Sequence, residues 1–149
     1  MKNLMLRKKK GFTLVELLVV VAIIAILMLL AIPKFTSQTK GATVRTFEGN
    51  VRTLASQVVQ EVAASGGNIG EFKDDGNIGE FLKTIKNKPN SATYDIASDK
   101  KSITCKLTGV LSEDYVLEVD GSGQITRKQP AVAAGATGPT VIDGVKLSF

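Results

Sequence analysis

The sequence predicts an α+β fold: a long helix near the start of the chain, packed on a small antiparallel sheet. Three patterns carry this reading. From Phe12 to Ile32 only Thr13 and Glu16 interrupt an apolar run. Val44, Phe47, Val51, Leu54, Val58 and Val62 then recur every three or four residues, the spacing of a one-sided helix. After Pro89 the chain changes to short segments rich in Val, Ile, Thr and Tyr, separated by Gly, Asp and Ser.

The first element is 21 residues of nearly unbroken hydrocarbon. As a helix it measures about 31 Å, close to the roughly 30 Å apolar core of a bilayer. The net charge of +5 belongs to what precedes it. Lys2, Arg7, Lys8, Lys9 and Lys10 stand in the first ten residues with no acid among them, whereas from residue 11 onward 14 basic residues balance 14 acidic ones. The basic block is thus a topological signal, and it predicts a single pass with the N-terminus inside and the C-terminus outside. A neutral remainder makes nucleic acid an unlikely partner, despite local clusters at Lys83, Lys86 and Lys88 and at Lys100 and Lys101.

An ordinary secretory signal has an apolar stretch of about 7–15 residues followed by a small-residue cleavage site. Here the run is longer, and Ile32-Pro33-Lys34-Phe35 offers no such site. A plain signal anchor accounts for the charges and the length. It leaves Gly11 and Glu16 unexplained, and an acid in a spanning segment costs about 2.5–3.5 kcal/mol at mid-bilayer. Lys10-Gly11-Phe12-Thr13-Leu14-Val15-Glu16 is similar to the class III signal of type IV pilins and pseudopilins. The likeness covers residues 7 to about 35 and includes Pro33. It implies that a prepilin peptidase cuts after Gly11 and methylates the new N-terminus at Phe12. Gly11 suits this step because it presents no side chain to the protease. The cut precedes the apolar run, so the mature chain keeps its anchor.

Cleavage would create an amine on Phe12, four residues before Glu16. The two could meet on one face of a helix. The resemblance implies instead that Glu16 meets the amine of a neighbouring subunit. A buried ion pair need not add stability, but it penalises every docking register that leaves either charge unmatched.

Pro33 would ordinarily end a helix, since it removes a backbone donor and crowds the preceding turn, yet the apolar pattern resumes after it. The amphipathic stretch then runs from about residue 36 to 64, with Gly41 and Gly49 each weakening it by about 1 kcal/mol relative to Ala. Pro33 is expected to kink or melt when the subunit leaves the bilayer for a filament. Ser65-Gly66-Gly67-Asn68 is a stop. Gly67-Asn-Ile-Gly-Glu-Phe72 recurs as Gly76-Asn-Ile-Gly-Glu-Phe81, too few copies for a repeat architecture. Phe81 to Ile85 reads as a short helix ending before Pro89. Asp74, Asp75 and Asn77 lack the spacing of a calcium loop and read as a turn, so no metal or cofactor is expected.

Strands are expected at Ala92–Ala97, Ser102–Leu107, Tyr115–Val119 and Gln124–Lys128, the last two forming a hairpin across Asp120-Gly121-Ser122-Gly123. Ala131 to Pro139 is a small-residue loop, and Val141–Phe149 is expected to add an edge strand. Cys105 is the sole cysteine, hence no internal disulfide, and reads as a core residue. The resulting organisation is a leader (1–11), a transmembrane and assembly helix (12–33), an amphipathic helix (34–64), a loop with a short helix (65–91) and a sheet head (92–149).

With no histidine in the chain, Ser-His-Asp and Cys-His mechanisms and His-ligated metals are excluded. A membrane-anchored paired-carboxylate hydrolase is compatible with the composition and is a remote alternative, but the acids are scattered without an evident cleft. The expected role is structural, not enzymatic. The resemblance implies a homo-oligomeric helical filament assembled from membrane monomers by a platform and an ATPase. It would be extracellular after assembly and serve adhesion, motility or DNA uptake. A pseudopilin of a secretion or competence system shares the same start and is the alternative.

Overall fold

The computed structural model describes residues 11–67, 70–131 and 139–149, apart from the side chains of Pro33 and Lys34. The charged leader, Asn68 and Ile69 of the first repeat, and most of the loop expected at 131–139 lie outside the described residues. The chain divides into two compact units, residues 1–36 and 37–149.

In the first unit, helix α1 (Leu14–Ala64) begins, and it continues through Pro33. Every large apolar side chain from Phe12 to Ile32 is 46–83% exposed, so none finds cover within the chain.

In the second unit the remainder of α1 packs on a four-stranded antiparallel sheet of β1 (Ala92–Ile96), β2 (Ser102–Leu107), β3 (Tyr115–Asp120) and β4 (Ile125–Gln129), in that spatial order. Val44, Phe47, Val51, Leu54 and Val58 are fully buried, as their helical spacing requires. They meet the inward side chains of the sheet, where Cys105 lies opposite Tyr94 on one side and Leu117 on the other. Phe47 sits between Tyr94 and Tyr115, with ring centroids 5.8 and 5.6 Å away. The β3–β4 turn is built on Asp120, whose Oδ1 accepts from Ser122 N, Ser122 Oγ and Gln124 N at 2.8, 2.6 and 2.9 Å. Its Gly123 has φ +80° and lies so near α1 that a Cβ would fall 2.5 Å from Val59 Cγ2 and 2.9 Å from the Ala55 carbonyl oxygen.

Two expectations need correction. The short helix, α2 (Asn77–Thr84), starts inside the second repeat and ends one residue before Ile85. It starts early because Ile78 finds a buried site, and Asn77 Nδ2 donates to both carboxylate oxygens of Glu61 at 3.0 Å. The edge strand expected over Val141–Phe149 does not form. Val141–Ile142 (β5) and Val145–Lys146 (β6) make a separate two-stranded sheet about Asp143-Gly144. Asp143 (φ 52°) and Gly144 (φ 78°) both take the left-handed conformation of a two-residue hairpin turn. Asp-Gly between apolar residues was the available signal.

Candidate functional site

The residues singled out by the N-terminal motif lie at the start of α1. Gly11, Phe12 and Thr13 are exposed and precede the first helical residue, Leu14. Thr13 therefore occupies the flanking position where the first helical N–H groups lack partners. Its Oγ1 accepts a hydrogen bond from Glu16 N at 3.3 Å. In return Glu16 Oε2 accepts from Thr13 N and Thr13 Oγ1, both at 2.8 Å. This is a reciprocal capping box, the Thr-x-x-Glu pattern in which cap and carboxylate satisfy each other's neighbouring donors.

The arrangement alters the problem posed by Glu16. A carboxylate in an apolar stretch was expected to need a positive partner, and the structure supplies a local one made of neutral donors at the positive end of a helix dipole. Sequence reading passed over Thr13 as a partner, although the Thr-x-x-Glu spacing was in plain view. Both accepted bonds fall on Oε2, and among the described residues Oε1 has no hydrogen-bond partner. Thr13 N and Oγ1 lie after the Gly11–Phe12 bond, so the cap survives a cut there.

Gly11 is unconstrained by its own fold. A Cβ placed on it would meet nothing within 4 Å, and its φ is not in the left-handed region.

A family model described as the prokaryotic N-terminal methylation motif matches residues 6–32. Over 95 residues the chain is 32% identical to the ComG operon protein 3 homolog of Bacillus licheniformis, covering 62% of this chain and 94% of that relative. The chain belongs to the type IV pilin and pseudopilin family. No solved structure matches it. The family is made of structural subunits, and its N-terminal signal together with the apolar start of α1 fits membrane anchoring.

Chemistry-bearing side chains elsewhere in this pilin-like chain serve the head. Cys105 is fully buried, and that burial pushes its thiol up to about 12. Burial, reinforced by the hydrogen bond to Glu48, raises the Tyr115 phenol well above its ordinary value. Burial likewise pushes Tyr94 up to about 12, against the opposing effect of its bond from Asn50. None of the three is poised for reaction at neutral pH. Lys40 and Ser112 hold Asp143 below the usual carboxylate range. Among the described residues no three Cys, Asp or Glu side chains converge to hold a metal, and Asp74 and Asp75 occupy the turn before α2.

Proposed function

We propose that the chain is a filament subunit of the type IV pilus class, made as a single-pass precursor and built into a helix bundle after processing. The observation that carries this reading is the uniform exposure of the apolar segment from Phe12 to Ile32 ahead of a self-contained head. A helix apolar on all sides must be covered by lipid or by other helices. The chain would occupy both settings in turn.

In this reading residues 1–11 are the leader, a prepilin peptidase cuts after Gly11, and Phe12 becomes the methylated terminus. The glycine that the fold itself does not demand supports this placement. Residues 12–33 cross the membrane and later bundle, and 34–64 carry the loop with its short helix (65–91) and the sheet head (92–149). Glu16 then acts twice: Oε2 stays on Thr13, while Oε1 takes the Phe12 amine of a neighbouring subunit and sets register. The turn at Pro33 melts or kinks as the helix leaves the bilayer. Assembly draws on a platform and an ATPase, and the finished filament is extracellular.

Intact-mass and N-terminal measurement of the membrane form should show loss of residues 1–11 and one added methyl group. Glu16→Ala should insert normally yet fail to enter filaments, and normal filament yield from that variant would remove the pairing. A second reading, a pseudopilin forming a short fibre in a competence or secretion system, is supported by the likeness to the ComG operon protein 3 homolog. Electron microscopy of sheared surface material separates the two: long fibres favour the pilus, their absence the pseudopilus.

A further inference from the structure

Residues 140–149 follow α1 in a way that the rest of the head does not. Their backbone pairing is largely internal, between Val141 and Lys146, between Ile142 and Val145, and from Leu147 N to the Thr140 carbonyl at 2.9 Å. No ladder joins them to the four-stranded sheet. They are held by a series of side-chain clasps along one ridge of the helix and by Ser112 N, which donates to Asp143 Oδ2 at 2.9 Å from the β2–β3 loop. Lys40 Nζ lies 2.8 Å from Asp143 Oδ2. Ser148 bonds Glu48, and the Arg52 guanidinium lies 4.8 Å from the centre of the Phe149 ring. Lys40, Glu48 and Arg52 are spaced by eight and then four residues along α1, multiples of four that place them along one i±4 ridge of its surface. Between the clasps, Val145 and Leu147 are buried.

Glu48 is the centre of the series. It is 3% exposed and accepts from Tyr115 Oη at 2.8 Å, from Ser148 N at 2.7 Å and from Ser148 Oγ. Two of the three donors come from the segment itself. Among the described residues no cation stands within salt-bridge distance of the carboxylate, so its charge rests on those donors. Losing two of three donors leaves a buried carboxylate underpaired, and only water entering behind the departing segment restores the balance.

We infer that residues 140–149 form a strap that opens and closes on α1 as one unit while the four-stranded sheet stays folded, and that Glu48 is the latch controlling how often it opens. Opening breaks no ladder bond of the main sheet. It uncovers the Lys40–Arg52 ridge, and closing covers it again. Elements held mainly by side chains open below the global unfolding free energy, in contiguous units.

Hydrogen exchange read by mass spectrometry on the full-length protein in detergent micelles tests this. Peptides covering 141–149 should exchange faster than those covering β2 and β3. Glu48→Gln should lower protection of 141–149 by a further factor of about ten or more, with β2 and β3 unchanged. Equal protection of strap and sheet in the unaltered protein would overturn the inference, as would a uniform loss across both in the variant. If Glu48→Gln does not fold, Ser148→Ala removes only the hydroxyl donor and should produce the same pattern, several-fold in size. Equal loss in strap and sheet in that variant overturns the inference too.

Discussion

The two halves of α1 are built from similar apolar residues and meet opposite fates. Before residue 33 the apolar side chains encircle the helix, and the least exposed large one, Ile24, is still 46% accessible. After residue 43 most keep to one side, and Val44, Phe47, Val51, Leu54 and Val58 are completely buried while Val59 stays half-exposed. The difference is one of arrangement, not composition. A one-sided stripe can be covered by a single sheet, whereas an apolar cylinder can be covered only by surroundings on every side. The second half therefore completes itself within the chain, and the first half depends on what lies outside it.

Truncation should separate the halves most sharply. Phe47→Ala removes a ring packed between two tyrosines and should cost the head about 3–5 kcal/mol. Leu27→Ala, in the first half, should leave head unfolding unchanged, because that side chain is 60% exposed in the single chain. Thermal unfolding followed in the near-ultraviolet, where the buried tyrosines report, checks both. A large shift from Leu27→Ala would mean that the halves are not independent.

A smaller effect is expected at the helix start. Thr13→Val keeps the shape but removes the cap, and should cost about 1 kcal/mol of local helix stability. Thr13→Ser should restore it. Amide exchange at Leu14–Leu17 in micelles reads this change, and no effect there would show that Glu16 is not engaged by its own helix.

A further contrast concerns alkali. The Cys105 thiol is raised from 9.0 to about 12, and the Tyr94 phenol from 10.0 to about 12. Above their ordinary values the unfolded chain has released these protons while the folded one retains them. Fewer protons on the unfolded state make stability fall as pH rises. Head stability should begin to decline near pH 9, where the exposed thiol of the unfolded chain ionises, and decline further through pH 10–12. Cys105→Ala should remove the earliest part of that decline, and denaturant titrations at pH 8 and pH 10 measure it. The apolar half of α1 should show no change over the same range.

How much could be read in advance follows the range of the interactions involved. The helical stripe, the apolar run, the four main strands and the hairpin over Asp120–Gly123 were legible, because periodicity and turn chemistry act between near neighbours. The Thr13–Glu16 cap and the Asp143–Gly144 turn are equally local, carried by the Thr-x-x-Glu spacing and by Asp-Gly between apolar residues. Glu48 is different. At residue 48 a polar residue one position after buried Phe47 reads as solvated, and only the approach of Tyr115 and Ser148, 67 and 100 residues away, makes it a buried anchor.

The repeated Gly-Asn-Ile-Gly-Glu-Phe marks the boundary most plainly. In the first copy Gly67 and Gly70 take positive φ, at 99° and 67°. In the second, Gly76 is extended at φ −84° and the same letters open α2. There Gly79 is needed for space, since a Cβ would lie 2.2 Å from the Asp74 carbonyl oxygen. In that second copy Ile78 and Asn77 find partners in the packed head. Membrane affinity, processing motif, helix and strands thus follow from short-range pattern along the chain. The early start of α2, the burial of Glu48 and the path of residues 140–149 depend on contacts across long loops, which form only once the core has brought distant residues together.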